Sequence, residues 1–369
     1  MQVQGTCEQK FLAIKNIFQQ SFDSGEENGA SFSIIQNGNV LINLFGGTKN
    51  ENEAWDVTTI VNTFSLSKGI YAACITKLIS ENLLDVEKPI AYYWKSFEQD
   101  NKKNILVRHL LAHQSGMYRF KTKLNNEDLL NWEKIINILE NQEPDHKPGK
   151  LTFYHAKTHG YLVGHLIKII TGISIGQYLR ESITNKYNLK FGFGLDSLEL
   201  NNVADLQEDF QEKTGSECID LNAFNNPMHD LKFYNSEQWR KSEIPSMGGH
   251  GNAYSVAYIY DCLANDYKQN TNLISNQYTL KKNLIEANHG NDLSLNLPIR
   301  WSNLGFILRG GWMFGKNKES FGHNGWGGSL GFADPINGLG ISYITKKINP
   351  TMAADKRATN LIRKFYNLL

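Results

Sequence analysis

Apolar side chains recur three and four positions apart at Phe11, Ile14, Phe18 and Phe22, which predicts an amphipathic helix over 8–23. The period then changes. Apolar runs at 31–36 and 40–45 flank Asn37-Gly38, and Asn-Gly between two such runs predicts a tight β-hairpin. Helical spacing returns over 65–84, with Ile70, Cys74, Leu78 and Ile79 on one side. The middle of the chain reads as helices and loops, with helical pattern at 105–112, 126–140, 158–170 and 175–187. A polar, Asn-rich stretch at 263–297 reads as a loop or peripheral element. Short apolar runs at 305–308, 328–333 and 339–344 predict strands, separated by Gly310-Gly311 and by Pro335-Ile336-Asn337-Gly338. A closing helix is predicted over 353–369, where Ala358, Leu361, Ile362, Phe365 and Leu368 fall in phase.

Strands at both ends, joined by hairpin turns around a long helical insertion, predict an α/β (α+β) fold. One antiparallel sheet, flanked by the terminal helices, draws on both ends of the chain. The expected division within a single domain is an α/β part at about 1–75 and 241–369, with a mostly helical subdomain at about 76–240.

Composition narrows the function. The chain has 369 residues, 41% hydrophobic and 20% charged, as a globular protein with a real core requires. The formal net charge is +1 and no basic patch or acidic run stands out, so no nucleic-acid partner is expected. No run approaches the roughly 18 apolar residues of a membrane span, so no membrane is expected either. The N-terminus lacks a basic segment followed by an apolar stretch. Cys7, Cys74, Cys218 and Cys262 are scattered. They read as reduced thiols, and the chain as cytoplasmic.

Candidate chemistry begins at Ser65-Leu66-Ser67-Lys68, the one Ser-x-x-Lys in the sequence. If Ser65 starts a helix, Lys68 lies one turn on and on the same face. A serine hydroxyl is a poor nucleophile until a neighbour takes its proton, and a lysine can take it once burial lowers its pKa. Two histidine pairs at i, i+4, His109 with His113 and His155 with His159, have zinc-like spacing. Neither contains the glutamate of a His-Glu-x-x-His site, so no metal site is assigned.

Further segments stand in order around this pair. They are Arg108-His109-Leu110-Leu111-Ala112-His113-Gln114-Ser115-Gly116, Tyr154-His155-Ala156 and Phe321-Gly322-His323-Asn324-Gly325-Trp326-Gly327-Gly328. Together with Ser65 and Lys68 they resemble the serine β-lactamase and penicillin-binding superfamily over nearly the whole chain. They are most similar to its class C-like branch of family VIII carboxylesterases. The resemblance implies a β-lactamase/transpeptidase-like fold and an acyl-enzyme on Ser65, with Lys68 as base and Tyr154 as proton shuttle. Ala156 replaces the asparagine of the family's Tyr-x-Asn, which weakens the case for strong β-lactam hydrolysis. A literal Lys213-Thr214-Gly215 is set aside, because no apolar strand surrounds it. His323-Asn324-Gly325 fits the third motif instead, with Trp326-Gly327-Gly328 as the other register, and the backbone N–H of Trp326 joins that of Ser65 as oxyanion donor. His323, Gly325 and Trp326 are thus the expected oxyanion and substrate-binding residues. The implied activity is short-chain ester hydrolysis on a small-molecule ester or amide, without a cofactor. Acyl transfer, D-amino-acid amidase or peptidase action, true β-lactamase action and a non-catalytic binding role are the alternatives.

Overall fold

The computed structural model describes residues 2–208, 221–268, 273–274, 276, 278–288, 290–309, 311–349 and 355–369. Lys213-Thr214-Gly215, Cys218, Gly310 and the 353–354 start of the closing helix lie outside them. Among the described residues eight strands pair into one antiparallel sheet. They are β1 (Gln4–Cys7), β2 (Gly29–Gln36), β3 (Asn39–Gly47), β4 (Arg300–Trp301), β5 (Ile307–Leu308), β6 (Phe321–Asn324), β7 (Leu330–Asp334) and β8 (Leu339–Thr345). Their order is β1-β3-β2-β8-β7-β6-β5-β4, so the two ends of the chain meet where β2 pairs with β8. Asn37 and Gly38 both take positive φ, 48° and 82°, as a two-residue turn of the primed type needs.

Alternation along the strands sends side chains to two different cores. Phe32, Ile34, Phe332, Ile341 and Tyr343 meet α1 (Leu12–Asp23) and α5 (Lys356–Leu368), where Phe11 and Phe365 pack 4.9 Å apart. The opposite face carries glycines at Gly331 and Gly340. A Cβ on Gly340 would lie 1.9 Å from the Ala257 carbonyl oxygen, so only glycine lets α4 (Ala253–Tyr267) settle this close to the sheet. The sequence pattern did not reveal α4. It is sandwiched between sheet and helices and buried on nearly every side, so it has no polar stripe to set a period.

The helices of the middle segment sit beyond α2 (Leu66–Ser80), itself almost wholly buried. α3 (Thr158–Thr171) matches its predicted span and ends on Gly172 at φ 78°, a left-handed cap. The predicted helix at 175–187 is instead α-helical over Ile175–Leu179 and π-helical over Arg180–Thr184. The Asn-rich stretch, read as a loop or peripheral element over 263–297, instead begins inside α4 and holds a short helix at Thr279–Asn283, and Asp292 within it is buried. Its second half folds into the cleft between sheet and helices, as described below. Among the described residues no single helix is long and apolar enough to cross a membrane.

Candidate active site

Ser65 stands one residue before α2, at φ −68° and ψ −12°. The preceding Phe64 has φ 45°, an unfavourable conformation for a bulky residue. It is held there by an N–H bond to Asn62 Oδ1 at 3.0 Å and by edge contacts with Tyr234 and Trp326, 5.4 and 5.2 Å between centroids. Strain at one residue is tolerated when its surroundings over-determine it, and here it turns the Ser65 hydroxyl toward the cleft.

One turn along α2, Lys68 is 1% exposed. Its Nζ lies 3.3 Å from Ser65 Oγ and 3.0 Å from the carbonyl oxygens of both Ala156 and Ser246. Burial, with no carboxylate beside it among the described residues, pushes the ammonium well below the usual lysine range. A neutral amine has two N–H donors and one lone pair. The two carbonyls match the donors of such an amine and leave its lone pair over.

Tyr154 reaches the same point from the loop before α3. Its hydroxyl is hydrogen-bonded with Ser65, and Lys68 Nζ lies 4.9 Å from its ring centroid. Burial raises the phenol pKa, and the Asp292 charge raises it further. Tyr154 therefore rests as a neutral phenol beside a lysine whose neutral form is favoured.

Sequence reasoning missed what holds Tyr154. Asp292, fully buried in the Asn-rich stretch, accepts the Tyr154 N–H at 3.0 Å and the Trp301 indole N–H at 3.2 Å. Trp301 then lies parallel to the tyrosine ring, 5.6 Å away at 9°. Burial lifts Asp292 to about 6 against the pull of its N–H donors. Ser246, also unforeseen, gives Lys68 a carbonyl while its hydroxyl ties Gly160 N to the Lys157 carbonyl. No motif could have found these residues, because their side chains support the site from distant segments.

β6 brings the third segment to the start of α2. A Cβ on Gly325 would lie 2.2 Å from the Thr63 carbonyl oxygen, so this position must be glycine for the loop to approach. The Gly325 N–H donates to the Ser329 carbonyl at 2.7 Å, which removes Gly325 as an oxyanion donor. The N–H groups of Ser65 and Trp326 have no acceptor among the described residues. His323 is 2% exposed and its Nδ1–H donates to the Asn324 carbonyl at 2.7 Å. Burial first, and Lys68 second, lower its pKa to about 3, so the ring is neutral.

The histidine pairs serve the frame. His159 bridges the Tyr71 hydroxyl at 2.5 Å and the Leu110 carbonyl at 3.0 Å, and His113 Nδ1 accepts the His155 N–H at 3.1 Å. Among the described residues no group of three or more His, Cys, Asp or Glu side chains is arranged to hold a metal ion. Ser115 Oγ and His155 Nε2 lie 2.6 Å apart, like a nucleophile and base, but both residues are wholly buried and cannot meet a substrate. The cleft over Ser65 has largely apolar walls, including Phe64, Met247, Leu295, Ile299, Trp301 and Trp326, with Lys157, Asn225 and His229 among its polar lining residues.

A sheet of this topology with a helical half, and a Ser–Lys pair opening the helix between them, define a serine hydrolase of the penicillin-recognising kind. Residues 14–364 match the family described as Beta-lactamase, and the chain belongs to that family. It is similar to the esterase/β-lactamase LipL of Mycobacterium tuberculosis (strain ATCC 25618 / H37Rv), at 24% identity over 95% of this chain and 85% of LipL. Among solved structures it is similar to a family VIII carboxylesterase, with TM-score 0.93 and 30% identity over the whole of both chains. A penicillin-binding protein homologue from Caulobacter crescentus gives TM-score 0.92 and 30% identity, again over both whole chains.

Proposed function

We propose that this chain is a short-chain carboxylesterase that works through an acyl-enzyme on Ser65. The observation that carries the reading is the environment of Lys68, buried with no carboxylate beside it among the described residues and bound to the Ala156 and Ser246 carbonyls. Neutral Lys68 takes the hydroxyl proton as Ser65 Oγ bonds to the ester carbonyl carbon. The N–H groups of Ser65 and Trp326 receive the oxyanion. As the intermediate collapses, the C–O bond to the alcohol breaks, and the proton passes from Lys68 through Tyr154 to the departing oxygen. Water then attacks the acyl-enzyme by the same path in reverse, releasing the acid and restoring Ser65.

Esters are favoured over β-lactams for a charge reason. A β-lactam presents a carboxylate beside its scissile bond. The position where the resemblance places a lysine holds neutral His323. Lys157, which also lines the cleft, has donors committed to two backbone carbonyls. The bulky apolar walls suit a small acyl group.

The test has two arms. A fluorophosphonate should label the peptide containing Ser65, and label on Ser115 or Ser329 would move the nucleophile elsewhere. The kcat/KM for p-nitrophenyl acetate or butyrate should exceed that for nitrocefin. The reverse order would make the chain a β-lactamase.

A further inference from the structure

Lys157 has no place in that chemistry, yet it is 2% exposed and lines the cleft. Among the described residues it forms no ion pair with an acid. Its Nζ donates to the Phe224 carbonyl at 2.6 Å and to the Pro227 carbonyl. Burial brings its pKa down to about 7. An uncompensated buried lysine destabilises a fold, so its presence calls for a role beyond stability.

The two carbonyls belong to a strap, residues 224–229, that crosses the cleft. At one end Phe224 stacks on Tyr154, 6.2 Å between centroids at 26°. At the other, His229 stacks on Trp326, 4.9 Å at 27°, and its Nδ1 meets the Tyr234 hydroxyl at 2.8 Å. Asn226 is a second anchor on the outer side, bonding the Phe120 and Thr122 carbonyls at 3.0 and 2.8 Å and the Leu124 N–H at 2.9 Å. Lys157 is the anchor on the inner side. It sits directly before α3 and two residues after His155, so it ties the strap to the segment that carries Tyr154.

We propose that Lys157 is a specificity-determining positioning residue, which pins the 224–229 strap as the wall of the leaving-group side and so limits the size of the alcohol. The inference rests on the esterase reading. The departing oxygen takes its proton from Tyr154 and must therefore lie beside it. Phe224, stacked on Tyr154, stands where the alcohol's chain would extend. Releasing the Phe224 and Pro227 carbonyls frees that wall to move. Among the described residues the Lys157 side chain bonds the Phe224 and Pro227 carbonyls and none of Ser65, Lys68 and Tyr154, and any effect passed through His229 to Trp326 falls on all alcohols alike and cancels in a ratio.

Methyl, butyl and octyl acetate share one acyl-enzyme and differ only in the alcohol. Lys157→Met keeps the length and removes the donors. The ratio of kcat/KM for octyl to methyl acetate should rise about tenfold, the scale of a relieved steric limit in a pocket. Lys157→Arg, which can donate to both carbonyls, should restore part of the discrimination. Equal loss on all three esters would make Lys157 merely structural and overturn the inference, as would an unchanged ratio. Hydrogen exchange of the 221–229 amides needs no turnover: it should speed up in Lys157→Met, and unchanged exchange would also overturn the inference. If the wild type hydrolyses no ester, the esterase reading fails, and the exchange measurement still decides whether Lys157 pins the strap.

Discussion

At the scale of single residues, opposite pKa movements divide the labour between two neighbours. Burial lowers Lys68 and raises Tyr154, which favours the uncharged form of each, so in the proposed mechanism Lys68 takes the serine proton and Tyr154 passes it on. Groups that pass one proton act as a unit, and their losses are strongly non-additive. Lys68→Ala and Tyr154→Phe should each lower kcat by about 10³-fold, the scale of a lost proton-transfer partner, and the double variant should be little worse. The pH dependence carries a sign. Only neutral Lys68 accepts the proton, so kcat/KM should rise with pH through the lowered lysine pKa. It should level off well below the range of an ordinary lysine. A profile still climbing toward pH 10 would show that the amine is not the base. Ser65 and Lys68 were legible in the sequence because one helical turn joins them. Tyr154 was legible through its motif. Asp292 was not, since its bond to Tyr154 spans 138 positions and its polar neighbours gave it the look of a surface loop.

At the scale of elements, the site depends on how closely β6 approaches the start of α2. Gly325 sets that distance, and a methyl group there meets the Thr63 carbonyl. Gly325→Ala should move Trp326 away from Ser65 and lower kcat by about 10²–10³-fold, the scale of one lost oxyanion donor. KM should change much less. Near-normal kcat would show that the oxyanion is bound elsewhere. The predicted hairpin and the late strands β7 and β8 lie where the pattern placed them because strong turn signals set them off, α1 because it has one wet face, and α3 also matches its predicted span, ending at Gly172. α4 escaped because burial on all sides erases the contrast between faces. β1 escaped because it is a short edge strand with mostly exposed residues. The 284–301 segment escaped for the opposite reason. Its asparagines suggest solvent, yet Asp292 and Asn288 are buried, their side chains bonding backbone groups of the segment itself.

At the scale of the whole molecule, the sheet can close only if the two ends of the chain find each other, and a buried charge cluster sits at that junction. Arg357, on α5, lies between Glu27, just before β2, and Asp355, with side chains 5%, 0% and 1% exposed. Glu27 also accepts the Tyr343 and Thr345 hydroxyls of β8, at 2.5 and 3.0 Å. The same guanidinium reaches the loop that carries Trp326, since Nη2 donates to the Gly327 carbonyl at 3.2 Å and the Lys347 carbonyl at 2.9 Å. One side chain thus joins chain closure to the placement of Trp326. Arg357→Met leaves two buried carboxylates without their cation, and breaking such a pair costs about 3–5 kcal/mol. Its melting temperature should fall by several degrees. Arg357→Lys separates the two roles. The ammonium restores charge, but it lacks the planar fork that serves two carboxylates and two carbonyls together. Most of the stability should return in Arg357→Lys while kcat stays depressed at a temperature where both proteins are folded. If Arg357→Lys recovers kcat along with the melting temperature, the cluster holds the fold only, and Trp326 is kept in place by its contacts with Phe64 and His229.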